Sequence, residues 1–485
     1  MIEPKVVVTS VHDAVPAVQD TPRVEGVAAL REFRADLRSC LTRRGDGLFE
    51  VMDAMLCAQG PVRSPVELSV EPEFRRGHGS VYDALAHGKI DTARLRRVLV
   101  ASLTPPRPGD PLMFAVDTTP LARPDAEYAD QRVMVQVRGK GGDVYLPGWH
   151  YSLLVGLHWG SSSWVDPIGA RRIRPGEDPT EVTLTQVTDL LADLAATGGH
   201  TEGDPPPLMI FDCGYDATAL AHELADQPVQ ILVRLNTRRV FYTDPAPRQP
   251  GTRGPARRHG QKLSLADPGH GPAPDQELTA SSPRYGTVRI RAWHHLHQEL
   301  GRQGHWANWP TDTPLPIVRA TIIQVSVEHL PDGRTPPKDL WLFHTGPREA
   351  DLDLLWKAYL RRFDQEHLHR FLKVHLGLSA AHLTSAAATD RWVHLTLAAY
   401  TQLRHASTLI DDLRRPWHPK PQPGTILTPY RTRLGFRRLR TQLGTPTHPA
   451  KFSRPGPGRP KGSTNRPKPK QPPYRKTAPT TAPAP

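Results

Sequence analysis

The residues whose types and spacing could do chemistry stand close together in Tyr359-Leu-Arg-Arg-Phe-Asp-Gln-Glu-His-Leu-His-Arg-Phe-Leu-Lys373, a stretch without Pro or Gly. Tyr359, Arg362, Glu366 and Lys373 occur at offsets of 0, 3, 7 and 14. In a continuous helix, at about 100° per residue, they fall within roughly 60° of one another. Leu360, Leu368, Phe371 and Leu372 take the opposite side, a stripe suited to a core. The polar face offers a carboxylate, two cations and a phenol, which suits a metal ion and the phosphates of a nucleic acid. An ordinary solvated surface helix has the same composition, so the helix alone leaves both readings open.

Two further acids sit where strands should end. LMFAVDTTP is a short apolar run reaching Asp117, and PPLMIFDCGYD is another reaching Asp212. WHYSLLVGLHW (149–159) and SSWVDPIGARRI (162–173) read as the strands between them, followed by a helix over 179–196. ATALAHELAD is a helix and VQILVRLN (229–236), carrying Arg234, a further strand. The order is strand, strand, strand, helix, strand, helix, strand.

Tyr359, Arg362, Glu366 and Lys373 resemble the Y-x2-R-x3-E-x6-K signature of one branch of bacterial cut-and-paste DDE transposases, insertion-sequence enzymes with an RNase H-like core. The resemblance spans roughly residues 110–415. It implies an α/β fold: an RNase H-like mixed sheet flanked by helices, in which acids of the first and fourth strands meet. Asp117, Asp212 and Glu366 then form the catalytic, metal-holding set for two Mg²⁺ ions, with Mn²⁺ as a substitute. Hard cations of this kind take oxygen ligands, and a metal pair serves both the attacking and the leaving oxygen of phosphodiester cleavage. The resemblance also assigns DNA contacts to Tyr359, Arg362, Lys373 and Arg234. It departs at Asp212-Cys213-Gly214-Tyr215, where many relatives place Arg directly after the aspartate and an aromatic residue one position later.

The implied activity is cleavage at the ends of an insertion sequence and strand transfer into target DNA. Its partners are double-stranded DNA, as terminal inverted repeats and target, and a second copy of the chain in a synaptic homodimer. The alternative is a catalytically silent, domesticated relative that regulates by binding DNA; an intact acidic triad counts against it. A carboxylate-pair glycosidase fits the flanking cations poorly.

The elements that must position these residues divide the chain as follows. Residues 1–22 are polar and expected to be disordered. Residues 23–105 show apolar spacings of three and four and read as a helical domain, for which the resemblance implies binding of DNA ends, with Asp91 capping its last helix. The core occupies 110–236 and 341–415, interrupted by a Pro-, Gly- and Arg-rich, β-rich insertion at 237–340. Trp293 and Trp306 of the insertion are expected to pack, and His294, His295, His297 and His305 fit no closed zinc spacing. Residues 416–485 read as a disordered basic tail. Gly458-Arg459-Pro460-Lys461 resembles an AT-hook, so Arg459 and Lys461 are candidate minor-groove contacts.

Composition agrees with a nucleic-acid partner. The net charge is +13, yet residues 431–485 hold 14 Lys/Arg and no Asp/Glu, leaving the remainder at −1. Charge of this kind belongs to a tail. Three cysteines are too few for a disulfide framework. Neither a signal peptide nor an 18-residue apolar run is evident, so the expectation is a cytoplasmic, nucleoid-associated protein with no membrane partner.

Overall fold

The computed structural model describes residues 21–139, 141–160, 162–248, 254–333, 338–347, 350–419, 426–451, 461–462 and 469–475. Its N-terminal part is helical: α1 (Thr21–Ser39), α2 (Gly45–Cys57), α3 (Pro65–Leu68), α4 (Gly79–His87) and α5 (Thr92–Ala101), with the short strands β1 (Leu41–Arg43) and β2 (Lys89–Ile90) pairing between them. Asp91 caps α5 as expected, accepting the Arg94 N–H at 2.9 Å.

Strands β3 (Met113–Ala122), β4 (Val133–Gly139), β5 (Gly142–Leu157) and β6 (Asp166–Ile173) follow. Helix α6 (Pro179–Thr197), strand β7 (Leu208–Phe211), helix α7 (Ala217–Glu223) and strand β8 (Gln230–Leu235) come next. Strands β3, β7 and β8 run parallel, β5 is antiparallel to β3, and β6 lies at the edge beyond β5. The five therefore lie in the order β6, β5, β3, β7, β8. Apolar residues alternate between two cores, because successive strand side chains point to opposite faces. Phe114, Val116, Met209 and Phe211 pack towards α6 and α7. Ala115, Leu153, Ile210 and Leu232 pack on the opposite face.

That opposite face is covered by α8 (Leu352–Arg361), α9 (Phe363–Val374) and α10 (Ala386–Ala406). Gly377, just beyond α9, has φ +70°, and a Cβ there would meet the Val62 carbonyl oxygen at 2.6 Å. Glycine thus lets the chain leave α9 while the Val62 N–H bonds His375 O at 3.1 Å.

Three expectations need correction. The 237–340 region is not a separate β unit. Its strands β9 (Val240–Tyr242), β10 (Lys262–Ser264), β11 (Gln276–Ser282), β12 (Gly286–His297) and β13 (Arg319–Val327) continue the core sheet. The link is β14 (Leu340–Thr345), which pairs with β13 on one side and β8 on the other. Secondly, the N-terminal helices do not stand apart: Phe49, Met52 and Met55 share one core with α10 and with Ala115 and Leu153 of the sheet.

Thirdly, the tail expected to be disordered contains α11 (Pro429–Leu443), whose Phe436, Leu439 and Leu443 are buried at helical spacing. Three of its arginines are spent internally. Arg433 donates to Met55 O, Arg440 to Asp53, and Arg437 to Glu71 and Glu73. Farther on, the chain returns along the edge strand β4: Tyr474 N–H bonds Arg132 O at 2.8 Å and Met134 N–H bonds Tyr474 O at 3.3 Å. Residues 1–20, Gly458, Arg459 and Pro460 lie outside the described residues, while Lys461 is exposed in a turn. No described helix is long and apolar enough to cross a membrane.

Candidate active site

Parallel pairing places two of the acids in register. Ala115 pairs with Ile210 between β3 and β7, and Ile210 pairs with Leu232 between β7 and β8. Two residues farther along each strand stand Asp117, Asp212 and Arg234, so the same register carries them into one row. Two steps preserve the face, and Ala115, Ile210 and Leu232 belong to the core under α8–α10. The row therefore faces those helices. β3 itself does not end at Asp117, contrary to expectation. It continues to Ala122 against the long β5, whereas its parallel partner β7 stops at Phe211. Asp117 stands where the parallel pairing stops, and Asp212 is the first residue past β7.

The helix above this row is not continuous over 359–373 as expected. It breaks at Arg362, which ends α8 and begins α9. The Arg362 N–H bonds Tyr359 O at 3.1 Å and the Gln365 N–H bonds Arg362 O at 3.0 Å, three-residue bonds that tighten the turn. Arg362 is buried at the junction while Phe363 beside it is 52% exposed.

The Arg362 guanidinium lies among all three acids. Its Nη1 is 3.7 Å from Asp117 Oδ2, and its Nη2 is 3.7 Å from Asp212 Oδ2 and 3.6 Å from Glu366 Oε1. Asp212 and Glu366 thus reach the same nitrogen, so those two oxygens are no farther apart than the sum of the two distances. None of these contacts is short enough for a hydrogen bond, and the buried Arg362 Nε has no partner. Tyr359 Oη donates to Asp212 Oδ1 at 3.3 Å, and Arg234 Nη1 lies 3.8 Å from the same oxygen. The Thr118 N–H holds Asp117 Oδ1 at 2.8 Å. Lys373 is half-buried, with no carboxylate at ion-pair distance among the described residues.

Electrostatics follow from this geometry. Burial, together with Asp212 and Glu366, raises the Asp117 carboxyl above its usual range despite the Thr118 N–H and Arg362. Burial lowers the Lys373 ammonium, and Asp117 opposes that shift. Arg362 is pushed down by burial but raised on balance by Tyr359, Asp212 and Asp117. The site thus carries more negative charge than one guanidinium balances.

The donor set, three carboxylates without sulfur or imidazole, has the chemistry a hard divalent cation requires. The acids are not drawn tightly together: among the described residues no group of three His, Cys, Asp or Glu side chains closes to metal-holding distance. A cleft of about 890 Å³ opens beside them, lined by Arg234, Tyr359, Arg362 and Glu366 with Tyr285 and Phe363.

One nearby residue escaped sequence reasoning, and another was noted only as a departure from the family pattern. His369 shares the α9 face of Glu366 and Lys373. Burial, with Lys373 and Arg362, lowers it to about 3, and its Nε2 is buried without a partner. Its spacing from Glu366 could have revealed it. Tyr215 buries its hydroxyl close enough to Asp117 for that charge to raise it further after burial. The sequence marked it only by its place three residues after Asp212.

Other expectations concern packing. Trp293 is buried and donates from Nε1 to Pro272 O at 2.9 Å; Trp306 packs against His222 and Trp309. His305 contacts Glu223 and His297 contacts His259, so the four histidines share no centre.

Residues 36–299 match the family described as DDE superfamily endonuclease. That is more than half of the chain, and the protein belongs to this family. Membership implies a nuclease acting on DNA, and nucleases of this family generally use divalent metals. Asp117, Asp212 and Arg234 fall inside the matched span; Tyr359, Arg362, Glu366 and Lys373 fall beyond it. No curated protein matches the chain.

Proposed function

We propose that the protein is the transposase of a bacterial insertion sequence, with an RNase H-like core and the Tyr-Arg-Glu-Lys helix signature. It cleaves the ends of its element and joins the freed 3′ ends to target DNA as a dimer. The observation that carries this reading is the meeting of Asp117, Asp212 and Glu366 around one slack guanidinium where the parallel pairing of the sheet stops. The wide face beside it can admit DNA.

Asp117, Asp212 and Glu366 would hold the divalent metal, two Mg²⁺ or Mn²⁺ in their place. Such ions, when bound, make water nucleophilic at neutral pH and offset charge on the leaving oxygen. The chain's own groups do the rest. Arg362 makes no hydrogen bond to the acids, so it can turn to a phosphate without breaking one, leaving the carboxylates to draw in. Tyr359 steadies Asp212 through its hydroxyl. Lys373 and Arg234 meet phosphates on either side of the row, positioning the backbone without reading sequence. The N-terminal helices recognise the terminal repeats, and Arg459 and Lys461 add tail contacts.

The test is nicking of a duplex carrying the inverted repeats found beside the gene, with Mg²⁺ and with chelator, against a scrambled duplex. Mg²⁺-dependent nicking at the repeat end supports the proposal. Binding of the repeat without nicking under any divalent metal would support the silent regulator instead.

A further inference from the structure

The acids and their helix do not use a second basic region. A cleft of about 720 Å³ lies at the sheet edge, where β6 meets β2, the start of α5 and the side of α10. Lys89, Arg96, Arg171, Arg172, Arg174 and Arg391 supply its cations, against Asp91, Asp189 and Asp390. All three acids have internal work. Asp91 caps α5, Asp189 holds Arg96 at 2.9 Å, and Asp390 takes Arg172 at 2.9 Å and the Tyr151 hydroxyl at 2.7 Å. Arg391 donates to Leu85 O at 2.6 Å and Ala86 O at 2.7 Å, carbonyls that leave its charge uncancelled. Lys89, Arg171 and Arg174 have no carboxylate partner among the described residues.

A fully solvated Lys89 or Arg174 alone would be ordinary. Arg171 is half-buried and has no carboxylate partner among the described residues, which leaves its charge available to an anion. The cleft is open beside it: a Cβ on Gly169 would meet nothing within 4 Å. β6 is an edge strand, paired only with β5, so part of its backbone N–H row also faces outward.

The sheet relates this cleft to the acids. Leu153 of β5 pairs with Asp117 on one side and Ala170 on the other, so Arg171, one residue farther along β6, points to the opposite face of the sheet from Asp117, at its edge. A duplex leaving the acids therefore has to pass around the sheet edge to reach it, a path longer than the two strand spacings, about 10 Å, between β3 and β6.

We propose that this cleft holds the sugar-phosphate backbone of the duplex adjoining the cleavage site, with Lys89, Arg171 and Arg174 as its phosphate contacts. The inference rests on the nuclease reading above and adds a surface to it. A duplex long enough to leave the acids would engage the cleft, and one confined to the acids would not.

The test uses the full chain, with salt titrations of affinity on an end-bearing duplex of about 12 base pairs and another of about 40. Arg171→Ala/Arg174→Ala should flatten the slope of log K against log[salt] by about 2 on the long duplex, at about 0.9 per lost phosphate contact. Long-duplex affinity should fall about tenfold or more at low salt, while binding and nicking of the short duplex stay at wild-type level. Arg171→Gln/Arg174→Gln, which retains side-chain bulk, should reproduce the loss with an unchanged melting temperature. Unchanged long-duplex slopes, or equal losses on both lengths, would overturn the proposal. A loss seen only when a separate duplex is added would assign the cleft to a second DNA molecule and overturn it as stated. If the wild-type chain binds neither duplex, the nuclease reading itself fails.

Discussion

Arg34 and Arg362 are buried arginines that face carboxylates, and they are built differently. Arg34 is 1% exposed and grips Asp53 with two hydrogen bonds of 2.8 and 3.0 Å. Gln402 and Arg440 complete that network, tying α1, α2, α10 and α11 together. Arg362 is 8% exposed, stands among three acids at 3.6–3.7 Å, and leaves its Nε unbonded. Full satisfaction marks an ion pair that locks helices together; slackness at similar burial marks a group held for something else.

The contrast breaks most sharply under substitution. Arg34→Met should cost about 3–5 kcal/mol by removing one of the two arginines that hold the fully buried Asp53. Arg362→Met should cost less than about 1.5 kcal/mol, since it loses no hydrogen bond to the acids, yet should weaken DNA binding. Chemical denaturation of both variants checks this, and equal losses would erase the distinction.

The helix attached to the Arg34 network gives the next effect. Phe436→Ala in α11 should cost about 3–5 kcal/mol through the cavity it leaves. Truncation before α11 should therefore unfold the chain rather than trim a tail. Removing only residues 451–485 should cost far less, since it forfeits only the bonds of Gln471 and Tyr474 along β4, and should lower the salt slope of DNA binding by about 0.9 for each phosphate those residues engage.

A divalent cation should stabilise the Arg362 region and ignore the Arg34 region. Mg²⁺ or Mn²⁺ at ten times its dissociation constant should add about 1.4 kcal/mol. Asp212→Asn should remove the increment, as read by thermal unfolding. An unchanged increment in Asp212→Asn would place the ion elsewhere.

The smallest effect concerns protons. The Asp117 carboxyl is raised in the folded state by burial and its acidic neighbours, so ionising it costs stability that is retained only below its ordinary value of 3.8. Without metal, Asp117→Asn should melt above wild type at pH 7, by on the order of 1 °C. The two should converge as pH falls towards that value. A variant melting lower at pH 7 would contradict the shift.

Much of the site was legible because strand chemistry writes itself locally. FAVD and MIFD show an apolar run and then an acid. That Asp117, Asp212 and Arg234 share a row depends on pairing register, which no local stretch contains. The break at Arg362 was hidden because nothing in the stretch is a helix breaker; the turn tightens where tertiary contacts draw the guanidinium inward. α11 was masked by composition, its arginines concealing the stripe of Phe436, Leu439 and Leu443. Strand β4 was missed because the Gly-Lys-Gly-Gly sequence beside it reads as loop. The insertion strands could not be assigned to the core sheet without knowing that β14 pairs with β13 and β8 at once.

The claim that Asp117, Asp212 and Glu366 form one metal-holding site is tested most directly with Glu366→Gln on an end-bearing duplex, measuring affinity and Mg²⁺-dependent nicking on the same preparation. Duplex affinity should stay near wild type, while nicking falls by about 10²–10³-fold or more, the order seen when one electrostatic stabiliser is lost. Nicking by Glu366→Gln at the wild-type rate would remove this glutamate from the site and contradict the assignment.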